Sequence, residues 1–256
     1  MESTHPRQTK ILSGHLNAQK TLLQAFSGER FHHAWMISGV KGIGKATLAY
    51  QFANHILSSG EVGNNISLFE GGSDAPNKIK IDWENPISQR VGSSGHGNLL
   101  SVEPQWDETK GAYKSDILVD GIRSVNKFFG KTASEGGWRI AIIDSADQLN
   151  KNAANALLKI LEEPPDKALL LLVSHTPGKL LPTIRSRCQQ LSMTPMSKIE
   201  VKEILGQKFT DLDDVSLDLA SSLAEGAPGK AITIIQQNGL QIYNQILSIL
   251  SKLPQI

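Results

Sequence analysis

Residues 34–52 read AWMISGVKGIGKATLAYQF, an apolar run followed by a glycine-rich turn and a helical pattern. The apolar run predicts a buried strand that ends at the first glycine, and Leu48 and Phe52 recur at the i, i+4 spacing of a helix. A strand, a glycine loop and a helix in this order are the context that a phosphate-binding loop requires. The stretch therefore predicts an α/β fold built around such a loop.

The glycines and the lysine of this loop match the phosphate-binding pattern. Gly39, Gly42 and Gly44 keep the tight turn whose backbone N–H groups point at phosphate oxygens, and Lys45 would reach the outer phosphates. The N-terminus of the following helix adds partial positive charge. A glycine turn that joins a strand to a helix without any ligand is the alternative interpretation.

The loop departs from the pattern at the residue after the lysine. The pattern G-x-x-x-x-G-K-[ST] requires a hydroxyl there to bind Mg²⁺, and the chain has Ala46. Thr47 follows one residue later, about 100° further round the helix, so it is a poor substitute as a metal ligand. The loop therefore predicts phosphate binding with an incomplete metal site.

A second element of a nucleotide site is the β-branched run RIAIID at residues 139–144. A strand that ends in an aspartate is where an ATPase keeps its second Mg²⁺ residue, and Asp144 fits that role. An active hydrolase usually has a glutamate next, whereas this chain has Ser145, which cannot act as a general base at neutral pH without a partner. Ala46 and Ser145 together predict weak or absent hydrolysis. A carboxylate that caps the next turn is the alternative for Asp144.

The stretch TIRSRC at residues 183–188 carries two arginines near a helix end. Arg187 fits two interpretations. It is either a solvated surface residue or a group that points across a subunit boundary at a neighbour's γ-phosphate, for which a planar guanidinium is suited. The residue types by themselves favour the surface interpretation.

Composition excludes several classes of protein. The 256 residues carry 26 Lys and Arg against 25 Asp and Glu, so no global field draws the chain to nucleic acid or membrane. One cysteine, Cys188, excludes a disulfide within the chain and a zinc site built from its own thiols. The first ten residues are not a secretory signal, and no apolar run reaches the ~18 residues of a membrane span. These features predict a cytoplasmic protein with no membrane partner.

The pattern along the chain predicts two domains. Strands alternate with helices up to residue 195, and residues 196–256 contain only helical patterns, which we interpret as three amphipathic helices. Residues 59–115 are rich in Gly, Ser and Asn, so we expect an irregular insertion with one hidden strand near NLLSVEP. The predicted fold class is α/β, a parallel sheet followed by a small helical domain.

Several motifs resemble the clamp-loader branch of the AAA+ ATPases, and within it the delta prime subunits of bacterial DNA polymerase III. They cover most of residues 6–192, with a weaker GAPGKA at residues 226–231. The motifs are PRQTKILSGH (6–15), HHAWMISGVKGIGKATLAY (32–50), GGWRIAIIDSADQLNKNAANALLKILEEPP (136–165) and SHTPGKLLPTIRSRCQQL (174–191). The resemblance implies a RecA-like P-loop domain over 1–195, a helical lid over 196–256, and a C-terminal collar that we expect to be absent from this chain.

The resemblance also implies a function. Such a subunit does not hydrolyse ATP; it helps load the sliding clamp onto primed DNA in replication, and Arg187 would serve the ATP site of a neighbouring motor subunit. The implied partners are motor and delta-type subunits in a hetero-pentamer, and ATP would bind without efficient hydrolysis. Many relatives carry a four-cysteine zinc module where this chain has residues 59–115; these residues contain no cysteine, so we expect no zinc.

Two other functions remain open from the sequence. One is a catalytically active AAA+ ATPase, either a motor subunit of the same loader or a helicase-type protein. The other is a small-molecule P-loop kinase, which would need a lid rich in arginine. The lid region here has few arginines, which counts against the kinase.

Overall fold

The computed structural model describes residues 5–10, 12–28, 30–59, 78–109, 111–130 and 137–251. The chain divides into two compact units. We call the described parts of Thr4–Gly39 and Lys45–Met193 the sheet unit, and Val40–Gly44 with the described part of Thr194–Ile256 the helical unit. The loop residues Val40–Gly44 thus group with the C-terminal helices, although the two domains predicted from the sequence, 1–195 and 196–256, stay a prediction.

Five parallel strands form the main sheet, in the order β2–β5–β6–β1–β7, and β3 and β4 pair as an antiparallel hairpin. The apolar runs of β1, β5 and β6 are buried almost throughout, as expected of central parallel strands covered on both faces. The strands in the described residues are β1 (Ala34–Ser38), β2 (Leu99–Val102), β3 (Trp106–Asp107), β4 (Ala112–Tyr113), β5 (Arg139–Asp144), β6 (Ala168–Ser174) and β7 (Gln189–Ser192).

Six helices belong to the sheet unit, with short 3-10 turns at Pro6–Gln8, Ala146–Gln148 and Pro177–Lys179. The amphipathic faces of the fourth and fifth helices pack on the sheet, and each fully buried Leu, Ile or Val contributes about 1.5–3 kcal/mol. The helices are α1 (Leu16–Phe26), α2 (Lys45–Ser59), α3 (Pro86–Gly92), α4 (Val119–Phe129), α5 (Lys151–Glu162) and α6 (Pro182–Arg185).

The ends of three strands bring functional candidates to one edge of the sheet. Ser38 ends β1, Asp144 ends β5 and Ser174 ends β6. In the parallel ladders Ser38 is paired with Ser174, and Asp144 with Val173. The residues that follow these strands therefore start from the same carboxyl edge, where open α/β sheets bind ligands.

The helical unit contains four helices in its described part, whereas the sequence pattern predicted three. Asn238 has a left-handed φ of 57°, which separates two helices where one continuous pattern was expected. A small core holds the unit together, including Val201, Leu205 and Ala220. The helices are α7 (Lys198–Lys208), α8 (Asp214–Leu223), α9 (Pro228–Gln236) and α10 (Gly239–Leu250).

The segment expected to be an irregular insertion is more regular than the sequence indicated. Residues 60–77 lie outside the described residues. Residues 78–115 contain helix α3, the β3–β4 hairpin and strand β2, which is the strand expected near NLLSVEP. Because β2 pairs with β5 along four residues, its order comes from the sheet and not from a local pattern.

Candidate functional site

Gly39 follows β1 and adopts a backbone conformation that favours glycine. Its φ is +149°, and a Cβ at this position would lie 2.6 Å from the carbonyl oxygen of Met193. The Met193 N–H donates to the carbonyl of Ser38 at 2.8 Å, so the two segments are held together at this point. Only a residue without a side chain fits between them.

Lys45, the first residue of α2, turns its ammonium group back towards the end of β1. Its Nζ donates to the carbonyl oxygen of Gly39 at 2.8 Å, and the residue is 2% exposed. Burial lowers the pKa of Lys45 to about 8, although the carboxylates of Asp144 and Asp147 oppose this shift. The lysine therefore lies in the electrostatic field of the carboxylate that ends β5.

Within the helical unit, the loop backbone packs closely against the start of α9. Gly42 and Gly44 have φ values of +84° and +105°. The Gly229 N–H donates to the carbonyl oxygen of Gly42 at 2.8 Å. A Cβ on Gly42 would lie 3.0 Å from the backbone nitrogen of Lys230, and a Cβ on Gly229 would lie 2.9 Å from the carbonyl oxygen of Gly42, so Gly42 and Gly229 are both needed for this approach.

Asp144 and Ser145 form a hydrogen-bonded cluster with a residue that sequence reasoning missed. The Ser145 hydroxyl lies 3.2 Å from Asp144 Oδ1, to which it donates, and 3.0 Å from His175 Nε2. The backbone N–H of His175 donates to Asp147 Oδ1 at 2.8 Å. The position that holds a glutamate in an active hydrolase is thus occupied by a buried hydroxyl between a carboxylate and an imidazole.

A second polar network surrounds Glu103, which follows β2. Its carboxylate accepts from the Tyr50 hydroxyl at 2.7 Å and from Arg7 at 3.2 Å, and it lies 3.1 Å from His5 Nε2. Burial and the charge of Glu103 together raise the pKa of Asp144 to about 6, against the opposing effects of Ser145 and Lys45. The sequence offered no periodic signal for this network, because the partners of Glu103 lie 53 to 98 positions from it in the chain.

The residues fit a phosphate group better than they fit a complete magnesium site. Gly39, Gly42 and Gly44 each have a positive φ, which is the local backbone conformation that the glycines of a phosphate loop adopt. Thr47 lies half-buried in the first turn of α2, next to Ala46, whose side chain has no oxygen that could bind a metal ion. Within the sheet unit, Lys45 and Asp144 are the side chains that would contact a nucleotide.

Arg187 follows the short helix α6, where two contacts hold its guanidinium. Its Nη2 lies 2.9 Å from Glu162 Oε1, and its Nη1 donates to the carbonyl oxygen of Thr183 at 3.1 Å. The arginine side chain is 37% exposed. The next residue, Cys188, is buried, and burial raises the pKa of its thiol to about 12. The sequence motif marked Arg187 as a candidate functional residue but gave no sign that Glu162 is its acidic partner.

Comparison with known proteins identifies the family. The model of the family described as DNA polymerase III, delta subunit, matches residues 14–197. The chain belongs to this family. The DNA polymerase III subunit delta' of Pseudomonas aeruginosa is 32% identical over 211 residues, which cover 82% of this chain and 58% of the relative. The delta' subunit of Bacillus subtilis is 31% identical over 205 residues, covering 80% and 54%. The chain therefore spans little more than half the length of these relatives.

A solved structure supports the fold of this DNA polymerase III delta family member. The RuvB Holliday junction branch migration motor of Thermotoga maritima matches with a TM-score of 0.52 and 18% identity, covering 94% of this chain and 68% of RuvB. The predicted α/β fold, a RecA-like parallel sheet of the AAA+ type with a helical region, is thereby confirmed. The resemblance to delta prime subunits is confirmed by the sequence relatives.

The predicted site residues of the delta family member fall into three groups. Gly39, Lys45 and Asp144 belong to the sheet unit, and Lys45 and Asp144 interact electrostatically. Gly42 and Gly44 belong to the helical unit. Thr47 on α2 and Arg187 also belong to the sheet unit, and Arg187 contacts Glu162 and Thr183 and not Lys45 or Asp144. The functional roles given to all seven residues stay predictions.

No membrane span or metal cluster occurs in the described ranges. Across residues 5–251 with the gaps given above, no helix is both long and apolar enough to cross a membrane. In the same ranges no three His, Cys, Asp or Glu side chains are grouped to hold a metal ion. The expected absence of zinc stays a prediction, and residues 60–77 of the predicted insertion lie outside these ranges.

The carboxyl of Asp144 makes the stability of the chain depend on pH. Its pKa is about 6 in the folded chain against an ordinary value of 3.8, so the folded chain binds more protons between these values. The free energy of unfolding should therefore fall as pH rises through this window. We expect Asp144→Asn to raise the free energy of unfolding by about 1–3 kcal/mol at pH 7, with a smaller gain near pH 4.

Urea denaturation of the wild type and Asp144→Asn, at a series of pH values from about 4 to 7, measures this difference. Asp116→Asn is the matched control, since Asp116 is exposed on the surface. A gain in stability that is equal at both ends of the pH range would contradict the assignment.

Proposed function

We propose that this chain is a clamp-loader subunit of the delta prime type, which helps load the sliding clamp onto primed DNA without hydrolysing ATP itself. The observation that carries the proposal is the contrast between its two candidate sites. Ser145 occupies the position where a general base would be needed, and its buried hydroxyl is hydrogen-bonded to Asp144 and His175. The guanidinium of Arg187, in contrast, is partly exposed. The names of the relatives, DNA polymerase III subunit delta', support the same reading.

In this proposal the chemical contribution of the chain is made at a neighbour's site. Arg187 would donate to the γ-phosphate of ATP bound by an adjacent motor subunit and stabilise the charge that develops during hydrolysis. Its partners would be motor and delta-type subunits in a hetero-pentamer, with the clamp and primed DNA met through the complex. The chain would act through interfaces, as part of the polymerase III holoenzyme.

The proposal includes nucleotide binding by the chain's own loop. The positive φ of Gly39, Gly42 and Gly44 and the buried ammonium group of Lys45 support this part of the proposal. The Gly229 N–H contacts the Gly42 carbonyl, which is not a phosphate ligand. Ala46 removes one metal ligand and Ser145 removes the base. ATP would therefore bind weakly and persist unhydrolysed, as a structural ligand.

We expect the isolated chain to bind ATP and to release phosphate no faster than a protein-free blank. Binding should weaken at least about tenfold in Lys45→Ala, because a buried cation on the outer phosphates is lost, and should persist in Lys41→Ala, whose lysine is exposed in the same loop. Equilibrium dialysis with labelled ATP and Mg²⁺ measures binding, and a phosphate-release assay measures turnover.

The double variant Ala46→Ser, Ser145→Glu sharpens this test. It restores the missing hydroxyl and carboxylate, yet we expect no strong turnover, because no neighbour supplies an arginine to this site in the isolated chain. Turnover by the wild type that vanishes in Lys45→Ala would instead favour the active AAA+ ATPase. A large gain in the isolated double variant would show that a trans arginine is not required.

A further inference from the structure

Helix α5 ends in an acidic residue whose side chain contacts Arg187. Glu162 is the last residue of α5, and Pro164 and Pro165 prevent the helix from continuing. Its Oε1 lies 2.9 Å from Arg187 Nη2. The residues are 25 positions apart in the chain, so the contact is made by the fold and not by local spacing.

The exposure of this ion pair argues against a purely structural role. The Glu162 side chain is 50% exposed and that of Arg187 37%. Ion pairs this open to water add little to stability, because solvent screens them and two long side chains must be ordered. The pair does, however, fix the direction of the guanidinium.

The geometry of the guanidinium shows what is being fixed. An arginine has five N–H donors in one rigid plane. Nη2 lies 2.9 Å from Glu162 Oε1, and Nη1 donates to the Thr183 carbonyl, so both ends of the fork are in contact with the protein. The arginine side chain is still 37% exposed, which leaves the guanidinium accessible to a ligand.

We propose that Glu162 is a positioning residue for Arg187, holding the guanidinium ready for a neighbour's phosphate. The inference rests on the proposed function, in which Arg187 acts in trans. Without Glu162 the arginine would sample several rotamers, and its alignment with the phosphate would have to be established during each turnover. A misplacement of this kind reduces the rate of the chemical step more than it reduces binding of ATP by the neighbour.

The test uses Glu162→Ala, Glu162→Gln and the control Glu163→Ala, which removes an adjacent exposed carboxylate. In a clamp loader reconstituted with its other subunits, we expect Glu162→Ala to lower kcat for ATP about tenfold with KM nearly unchanged. The kcat of Glu162→Gln should lie between those of the wild type and Glu162→Ala, since the amide oxygen can still contact the guanidinium although it carries no charge. Glu163→Ala should match the wild type.

A second measurement on the free chain does not depend on any partner. Phenylglyoxal modifies accessible arginines, and mass spectrometry of the peptide that carries Arg187 gives its rate of modification. We expect Glu162→Ala to speed modification of Arg187 several-fold, and Glu163→Ala to leave it unchanged. An equal rate in Glu162→Ala and the wild type would overturn the inference.

Combining the variants separates the inference from the proposed function. If Arg187→Ala does not slow the complex, the proposed function falls and the inference falls with it. If Arg187→Ala slows the complex while Glu162→Ala does not, only the inference is overturned. In the Arg187→Ala background, the inference requires that Glu162→Ala cause no further loss, so a further loss would overturn it.

Discussion

Replacing Arg187 with alanine is expected to slow ATP hydrolysis at the neighbouring subunit's site by about 10³-fold, within the range measured for arginines supplied in trans. The reason is electrostatic, since a guanidinium fork neutralises charge that builds on the γ-phosphate in the transition state. Single-turnover hydrolysis by the reconstituted loader on primed DNA measures the loss.

The folded state should tolerate this change. The side chain is 37% exposed and its ion pair with Glu162 is half-exposed, so the loss of stability should stay within about 1 kcal/mol. Arg187→Lys keeps the charge without the fork and should recover only part of the rate. Arg123→Ala is the control, because Arg123 is a paired and exposed arginine on α4. A full rate with Arg187→Ala would remove the trans assignment.

Replacing Gly39 with alanine is expected to destabilise the chain by about 3 kcal/mol, a sum of backbone strain and overpacking. The new Cβ would start 2.6 Å from the Met193 carbonyl oxygen, and φ at this residue is +149°. The obstacle is backbone, so a rotamer change cannot relieve it. The shift would also disturb the carbonyl to which Lys45 donates.

Urea denaturation of Gly39→Ala, compared with Gly178→Ala, tests this expectation. Gly178 has nothing within 4 Å of an added Cβ, so its substitution meets no such obstacle. Equal stabilities of the two variants would mean that β1 and the segment at Met193 separate easily. In that case the loop could not be held in the conformation described above.

Much of the fold could be predicted from short-range patterns. The runs AWMIS and ALLLLVS are apolar, compact and bounded by glycine or turn residues, and they form β1 and β6. Helix α5 was readable because its apolar residues recur at helical spacing and two prolines stop it. The order of the strands in the sheet could not be predicted, because no local sequence pattern specifies which strand pairs with which.

The missed elements share a physical cause. β7 is a four-residue edge strand with only Leu191 buried, so its sequence lacks the apolar signal of a central strand. Its structure comes from pairing with β1. The break at Asn238 depends on one residue with positive φ inside an otherwise continuous helical pattern.

The candidate site shows the same division. Glycines, Lys45, Asp144 and Arg187 were predicted because each belongs to a motif of fixed spacing. The partners of Gly42, Ser145 and Arg187 were not predicted, since Gly229, His175 and Glu162 reach them across 25 to 187 positions of the chain. Motifs identify the chemical groups, whereas the contacts that constrain those groups arise only in the folded chain.

The single thiol of the chain offers a built-in reporter beside the arginine. Cys188 is next to Arg187, is buried, and has a pKa raised to about 12, so it reacts with alkylating reagents only when the segment opens. Because the chain has no other cysteine, its labelling rate is set either by the rate at which the segment around Cys188 opens or by the population of the open state. Docking of a neighbouring subunit could then be followed as protection of a sulfur atom.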